Sequence, residues 1–221
     1  MKYDGFRLLA GVDAGGVELK TRNGANATRW FPEISSSLAD LRTGRHVLDG
    51  ELCVLDEIGR SDFERLQARA SMRGYRAGCD PVAYCVFDLL VLDGQDLRAL
   101  PLHTRKAQLE RLLRKRLPSV LRVTEVQGDE GTWLYQRMVE LETEGIVSKR
   151  LDSVYLSGQR TGSNGGECRI PLAGRSERGT HLGVGPACPA RRRFRRPSCF
   201  LLTRRQRGSA PRQPPLACAP G

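Results

Sequence analysis

One break in composition limits how much of this chain can fold. The last lysine is Lys149, although the sequence runs on to Gly221. From position 164 onward there are 12 arginines, no lysine and two acids, Glu167 and Glu177, which places +10 of the net +11 charge in that stretch. The same stretch takes 8 of the 12 prolines and 4 of the 7 cysteines. Its apolar residues follow neither a helical nor a strand period. Such a sequence cannot bury enough apolar surface to offset the entropy of ordering it. Residues 164–221 are therefore expected to form a disordered tail, and a hydrophobic core is expected only within residues 1–163.

Within that body, apolar periodicity predicts strands over 6–10, 16–20, 46–55, 82–92, 122–126 and 146–150. Ser61-Asp62-Phe63-Glu64 reads as a capping box opening a helix to about position 76. Thr104 is expected to cap a second helix, with Leu109, Leu112, Leu113 and Leu117 on one stripe. A third helix is expected over 131–142, aligning Leu134, Met138 and Leu141, and a short one over 36–41. Strands and helices mixed without βαβ regularity predict an α+β architecture of antiparallel sheets with flanking helices. No apolar run approaches membrane-spanning length, and the N-terminal residues do not form a signal peptide. Cys53, Cys79 and Cys85 are widely spaced and show no metal-ligand pattern, as expected of reduced thiols in a cytoplasmic protein. His46, His103 and His181 are isolated and carry no role.

The chemistry-bearing residues begin with Lys2-x-Asp4-Gly5-x-Arg7. On an extended strand Lys2 and Asp4 share a face. Gly5 allows close backbone approach, and Arg7 supplies a planar fork suited to phosphate or ribose oxygens. Four further segments follow in order: Thr21-Arg22-Asn23-Gly24, Leu48-Asp49-Gly50-Glu51-Leu52, the strand around Phe87-Asp88, and Glu144-Gly145-Ile146-Val147-Ser148-Lys149. Together they resemble motifs I, Ia, III, IIIa and IV of the covalent nucleotidyltransferases, which are the ATP-dependent DNA ligases and mRNA capping enzymes. The wording is most similar to bacterial end-joining ligases, including Phe31-Pro32-Glu33-Ile34 and Gly59-Arg60-Ser61-Asp62-Phe63. The resemblance covers residues 1–163 and implies an incomplete adenylation domain with the nucleotidyltransferase fold.

The resemblance implies a role for each matching residue. Lys2 would be the nucleophile that attacks the α-phosphate of ATP and forms lysyl-AMP. Asp4, Arg7 and Arg22 would line the nucleotide, with the two arginines on ribose, phosphate or the nicked strand. Glu51 and Glu144 would offer oxygens to Mg²⁺ or Mn²⁺, and Glu51 would also touch ribose. Phe87 would stack on adenine, although its strand pattern reads equally as core. Lys149 would sit by the α-phosphate. Asp49 and Asp88 are expected to shape their turns and bind nothing. The implied substrates are ATP and nicked or broken double-stranded DNA, in repair, recombination or end joining. End-joining proteins are the implied partners, and the chain is expected to be a bacterial, nucleoid-associated monomer.

Two departures accompany this likeness. The family carries a strand before the motif I lysine, whereas here Met1 stands directly before Lys2, which is expected to lie at a fraying end. After Ser163 the family pattern calls for a tryptophan and a Lys-x-Lys strand, motif V, and this chain reads Asn164-Gly165-Gly166-Glu167-Cys168-Arg169. The abrupt change motivates the hypothesis of a shifted reading frame, which translation of the other two frames would test. The arginine cluster over 191–196 would bind polyanions weakly and in a salt-sensitive way, or would be a meaningless product of the shifted frame. The alternative function is an inactive remnant that binds nucleotide or nucleic acid at most. GTP-dependent capping or RNA ligation is a third reading, separable from the first by ATP and GTP competition.

Overall fold

The computed structural model describes residues 2–41, 43–127, 130–143, 145–158, 167–171 and 199–203, with backbone alone for residue 127 and the last two stretches. Strands β1 (Phe6–Asp13) and β2 (Gly16–Thr21) form a hairpin, followed by α1 (Pro32–Leu38) and a 3₁₀ turn, Ala39–Leu41. Next come β3 (His46–Val54), α2 (Phe63–Ser71), β4 (Val82–Leu92), β5 (Gln95–Asp96) and α3 (Leu102–Leu112). The second part holds β6 (Val120–Arg122), β7 (Thr124–Gln127), α4 (Glu130–Glu140), β8 (Gly145–Arg150), β9 (Glu167–Pro171) and β10 (Cys199–Thr203). No helix among the described residues is long and apolar enough to cross a membrane.

The first sheet runs β2-β1-β3-β4-β5, with β6 also on β4. Its pairs are antiparallel except β4–β6, which is parallel, so the sheet is mixed rather than wholly antiparallel as the sequence suggested. The chain leaves β4, passes through α3 and returns alongside, and such a crossover permits parallel pairing where a tight hairpin does not. A second sheet, β7-β10-β8-β9, is antiparallel throughout. Its β9 and β10 come from the stretch expected to be disordered. An antiparallel ladder satisfies the backbone of any extended segment, whatever the period of its side chains. The rest of the tail expectation, with His181 and the arginine cluster, lies outside the described residues.

Alternation along the strands sends Leu8, Ala10 and Val12 of β1, Leu48, Leu52 and Val54 of β3, and Val82, Tyr84 and Val86 of β4 to one face. Ile34 and Leu38 of α1, Leu66 of α2 and Leu109 of α3 join them in a single cluster. Each large side chain buried this way stabilises the fold by about 1.5–3 kcal/mol. Tyr84 is fully buried, and its hydroxyl lies within reach of two carbonyl acceptors, Leu8 (3.0 Å) and Leu48 (3.1 Å). Gly50 makes room for that ring, since a Cβ there would stand 2.6 Å from Tyr84 Cε2.

Helix ends differ from expectation for identifiable reasons. Asp62, not Ser61, caps α2 by accepting from Arg65 N at 3.0 Å, while Ser61 Oγ accepts from Asp4 N at 2.9 Å. The helix stops at Ser71, and Arg73 just beyond it takes a left-handed φ of 48°. Helix α3 starts directly after Pro101, as suits a residue that needs no backbone donor. It ends at Leu112, so Leu117 is buried beyond the helix. In α4, Leu134 and Met138 face inward as the spacing predicted.

Candidate active site

The site lies on the other face of the first sheet. Lys2 precedes β1 and is not in a strand, and its backbone N–H donates to Gly145 O at the start of β8 (2.7 Å). Tyr3 packs among Cys53, Cys85 and Val123 on one side and Val126, Leu134, Met138 and Ile146 on the other. Lys2 and Asp4 both lie outside the strands, in the segment that leads into β1. Their amides are taken by Gly145 and Ser61 instead of a neighbouring strand, and Lys2 is anchored at its backbone, not left at a fraying end. Gly5 is needed for close approach, since a Cβ there would lie 2.2 Å from Leu52 O.

Arg7 points from β1 to the site face and pairs across the strand gap with Asp49 of β3. Nε donates to Oδ1 at 3.0 Å and Nη2 to Oδ2 at 2.6 Å. The Asp49 hydrogen bonds hold the Arg7 guanidinium well above its ordinary pKa despite burial. Asp49 is fully buried, so the expectation that it merely shapes a turn is corrected. A buried carboxylate needs a charge partner, and here it is Arg7.

The same correction applies to Asp88. The β3–β4 register pairs Asp49 with Asp88 and Gly50 with Val86, leaving Phe87 as the extra residue of a β-bulge. A bulge lets consecutive residues escape strict alternation, and Phe87 and Asp88 both serve the site face. Arg105 of α3 clasps Asp88 through Nε (2.8 Å) and Nη2 (2.9 Å), and both side chains are 2% exposed. Arg105 Nη1 also donates to the carbonyls of Leu100 (2.5 Å) and Ser153 (3.1 Å).

Phe87 packs against the Cys53–Cys85–Val123 cluster and carries a cation on each of two approaches. Lys149 Nζ of β8 stands 4.8 Å from the ring centroid, and Arg7 Cζ stands 5.7 Å from it. Behind this group, Lys106 of α3 is buried and ion-paired with Glu125. Burial pulls the Lys106 ammonium below its ordinary pKa; Glu125 opposes that shift and the charge of Lys149 adds to it. A hydrogen bond to Cys85 and burial push the Cys53 thiol far up, with smaller contributions from Glu51 and Asp4.

Glu51 sits on β3 between Arg7 and Cys85 in register. Glu144 lies outside the described residues. Among the described residues, no cluster of three or more His, Cys, Asp or Glu is arranged to hold a metal. Mg²⁺ takes one or two carboxylates and fills its remaining positions with phosphate and water. One half-buried carboxylate beside cations that can receive phosphate, as at Glu51, fits that demand. Arg22 is exposed in the turn after β2, where the Thr21–Leu8 pair brings it to the Arg7 end of β1. The structure thus gathers Arg7, Glu51, Phe87 and Lys149 on one face, with Lys2 fixed to the strand that carries Lys149.

Sequence reasoning missed Tyr155, Arg105, Lys106 and Glu125. Tyr155 OH donates to Asp49 Oδ2 at 2.9 Å and accepts from Arg7 Nη2 at 3.1 Å. One signal was available. The buried side of α3 reads Leu102, Arg105, Lys106, Leu109, so two cations occupy positions of the apolar stripe. Cations there announce buried anionic partners.

Residues 1–164 match the family model for the ATP dependent DNA ligase domain. The chain is similar to the multifunctional non-homologous end joining protein LigD of Pseudomonas aeruginosa, at 40% identity over 158 residues, covering 71% of this chain and 18% of that protein. A probable DNA ligase of Streptomyces coelicolor is 37% identical over 172 residues, covering 73% and 33%. Among solved structures, the ligase domain of M. tuberculosis LigD superposes with a TM-score of 0.65 at 31% identity, covering 77% of this chain and 52% of that one. A mycobacterial DNA ligase D complexed with ATP gives 0.64 at 30% identity with the same coverage. The chain spans only about a fifth of the length of the LigD proteins it matches.

Proposed function

The chain belongs to the ATP-dependent DNA ligase domain family, and from that premise we propose that it takes AMP from ATP onto Lys2 and uses it to seal nicks in DNA. One observation carries the reading: an aromatic ring, Phe87, is flanked by the cations of Lys149 and Arg7 on the face that also bears Glu51. That arrangement suits a nucleotide, with its base on the ring and its phosphates among the cations.

In the first step the Lys2 amine attacks the α-phosphorus, a P–N bond forms and pyrophosphate leaves. The 5′-phosphate of the nick then attacks the same phosphorus and frees Lys2. Finally the 3′-hydroxyl attacks the activated phosphate and releases AMP. Each displacement depends on alignment and charge neutralisation. Lys149 would bear on the charge developing at the α-phosphate, and Arg7 on ribose or phosphate oxygens. A free lysine has a pKa of about 10.4, so presenting it neutral at pH 7 costs about 4 kcal/mol without help. Glu51 would hold Mg²⁺, which when bound offsets phosphate charge and eases departure of pyrophosphate. Nicked or broken duplex DNA, end-joining partners and a cytoplasmic setting belong to the same proposal.

The test is covalent labelling with α-labelled ATP and Mg²⁺, read on a denaturing gel beside Lys2→Ala. A band that survives denaturation and disappears in the variant is the expected result. Absence of a band from folded wild-type protein would sink the proposal.

A further inference from the structure

We infer that Tyr155 positions Arg7 for the nucleotide, an inference that rests on the nucleotidyl-transfer reading above. Tyr155 acts through Arg7 and is not itself assigned a contact with substrate, so it is a positioning residue.

The argument starts from the donors of Arg7. Asp49 takes Nε–H and one N–H of Nη2. Tyr155 OH accepts from Nη2 at 3.1 Å and donates to Asp49 Oδ2 at 2.9 Å. The three groups close a triangle in which each partner holds the other two. With both hydrogens of Nη2 and that of Nε engaged, only the two N–H bonds of Nη1 lie outside it. The Arg7 side chain is 43% exposed, so without the phenol Asp49 alone would hold it and its outer edge would be held less firmly. Fixing it directs the remaining donors at an oxygen held near Phe87, whose ring lies 5.7 Å from Arg7 Cζ.

Tyr155 is itself fixed. Its backbone N–H donates to Arg98 O at 2.9 Å. Its ring lies 6.0 Å from Arg105 Cζ, which Asp88 locks in place. Burial and the adjacent Asp49 push the phenol up to about 12, so it remains a donor throughout the neutral range. Tyr155 follows β8, the strand of Lys149, while Arg7 and Asp49 stand on the first sheet. The triangle therefore ties the two phosphate-side cations, Lys149 and Arg7, into one rigid arrangement.

The test compares wild type, Tyr155→Phe, Arg7→Ala and the double variant. The rate of Lys2 labelling is measured against ATP concentration, and ATP affinity by calorimetry. Losing one hydrogen bond to a charged group should raise the half-saturating ATP concentration about tenfold. The maximal rate should change less than about twofold, and the melting temperature hardly at all. In the Arg7→Ala background the same substitution should have less than about a twofold effect, because the two residues act as one unit. Equal effects in both backgrounds, or no effect in either, would overturn the inference. If Tyr155→Phe melts early, exchange of the Arg7 Nε proton by NMR gives a second readout. Faster exchange at Arg7 but not at Arg105 supports positioning, and equal loosening of both overturns it. Wild type that binds ATP without labelling removes the transfer reading, yet the affinity cycle still decides the role of Tyr155. Wild type that binds no ATP overturns both.

Discussion

The two faces of the first sheet are built from the same strands and solve opposite problems. Towards α1 and α2, β1, β3 and β4 present Leu8, Leu48, Leu52 and Tyr84, all fully buried. Towards the second sheet and Arg105 of α3, whose Leu109 joins the first face, they present Arg7, Asp49, Glu51, Phe87 and Asp88. The first face is held by apolar burial, which is non-directional and forgiving of detail. The second is buried almost as deeply around Asp49 and Asp88, so it persists only because each carboxylate meets an arginine in a two-pronged pair. The difference shows where stability and chemistry separate. One face can lose a methylene and remain a core, whereas the other cannot lose one charge without stranding its partner.

The sharpest way to break this contrast is to strand a charge. Asp88→Ala leaves the Arg105 guanidinium buried without its carboxylate and should cost about 3–5 kcal/mol. Leu52→Ala, on the opposite face, should cost about 2–5 kcal/mol through lost burial and the cavity left behind. Urea midpoints measure both. The discriminating result is the second substitution: Arg105→Met should recover much of the Asp88→Ala loss, because no charge then remains stranded. Failure to recover would mean that the site face is held by packing, like its opposite.

A smaller effect separates function from stability. Phe87→Leu should alter the unfolding free energy by less than about 1.5 kcal/mol. It should weaken ATP binding about tenfold, as loss of one base-stacking surface implies. Calorimetric titration beside a denaturant melt reads both, and unchanged ATP affinity would return Phe87 to the status of a core residue.

The smallest expected effect is in alkali. A tyrosine titrates near 10 when unfolded, and Tyr155 is pushed to about 12 in the fold. The folded state thus keeps this proton while the unfolded chain loses it. The stabilisation is fully present below about pH 10 and declines as pH rises through about 12. Tyr155 is only half-buried, so solvent screens the effect and its size will be modest. The stability difference between wild type and Tyr155→Phe, small at neutral pH, should be level up to pH 10 and shift against wild type above it. A flat difference across that window would show that the phenol is not held by Asp49.

Much of this protein was legible without coordinates. The pattern over 82–92 predicted β4 at its observed bounds, and the one at 46–55 predicted β3 to within a residue. The α+β class followed from the same patterns. Short segments with glycine at fixed offsets were legible too: Gly5 and Gly50 stand where a Cβ would strike a backbone carbonyl or the Tyr84 ring. Less legible was the meaning of the acids. Asp49 and Asp88 look like turn residues in a one-dimensional reading because their partners lie 42 and 17 positions away.

By itself the sequence determined where the main strands run, which stripes of the helices are apolar and where the composition changes. Those properties are local, set by side-chain period and backbone sterics within a few residues. The tertiary structure alone decided that a bulge turns Phe87 and Asp88 to one face and that β6 runs parallel to β4. It also decided that Gly145 anchors Lys2, and that Tyr155, 106 positions from Asp49, completes the clasp on Arg7. Each of these depends on contacts between distant segments, whose strength is set by burial and geometry that no short stretch of sequence encodes.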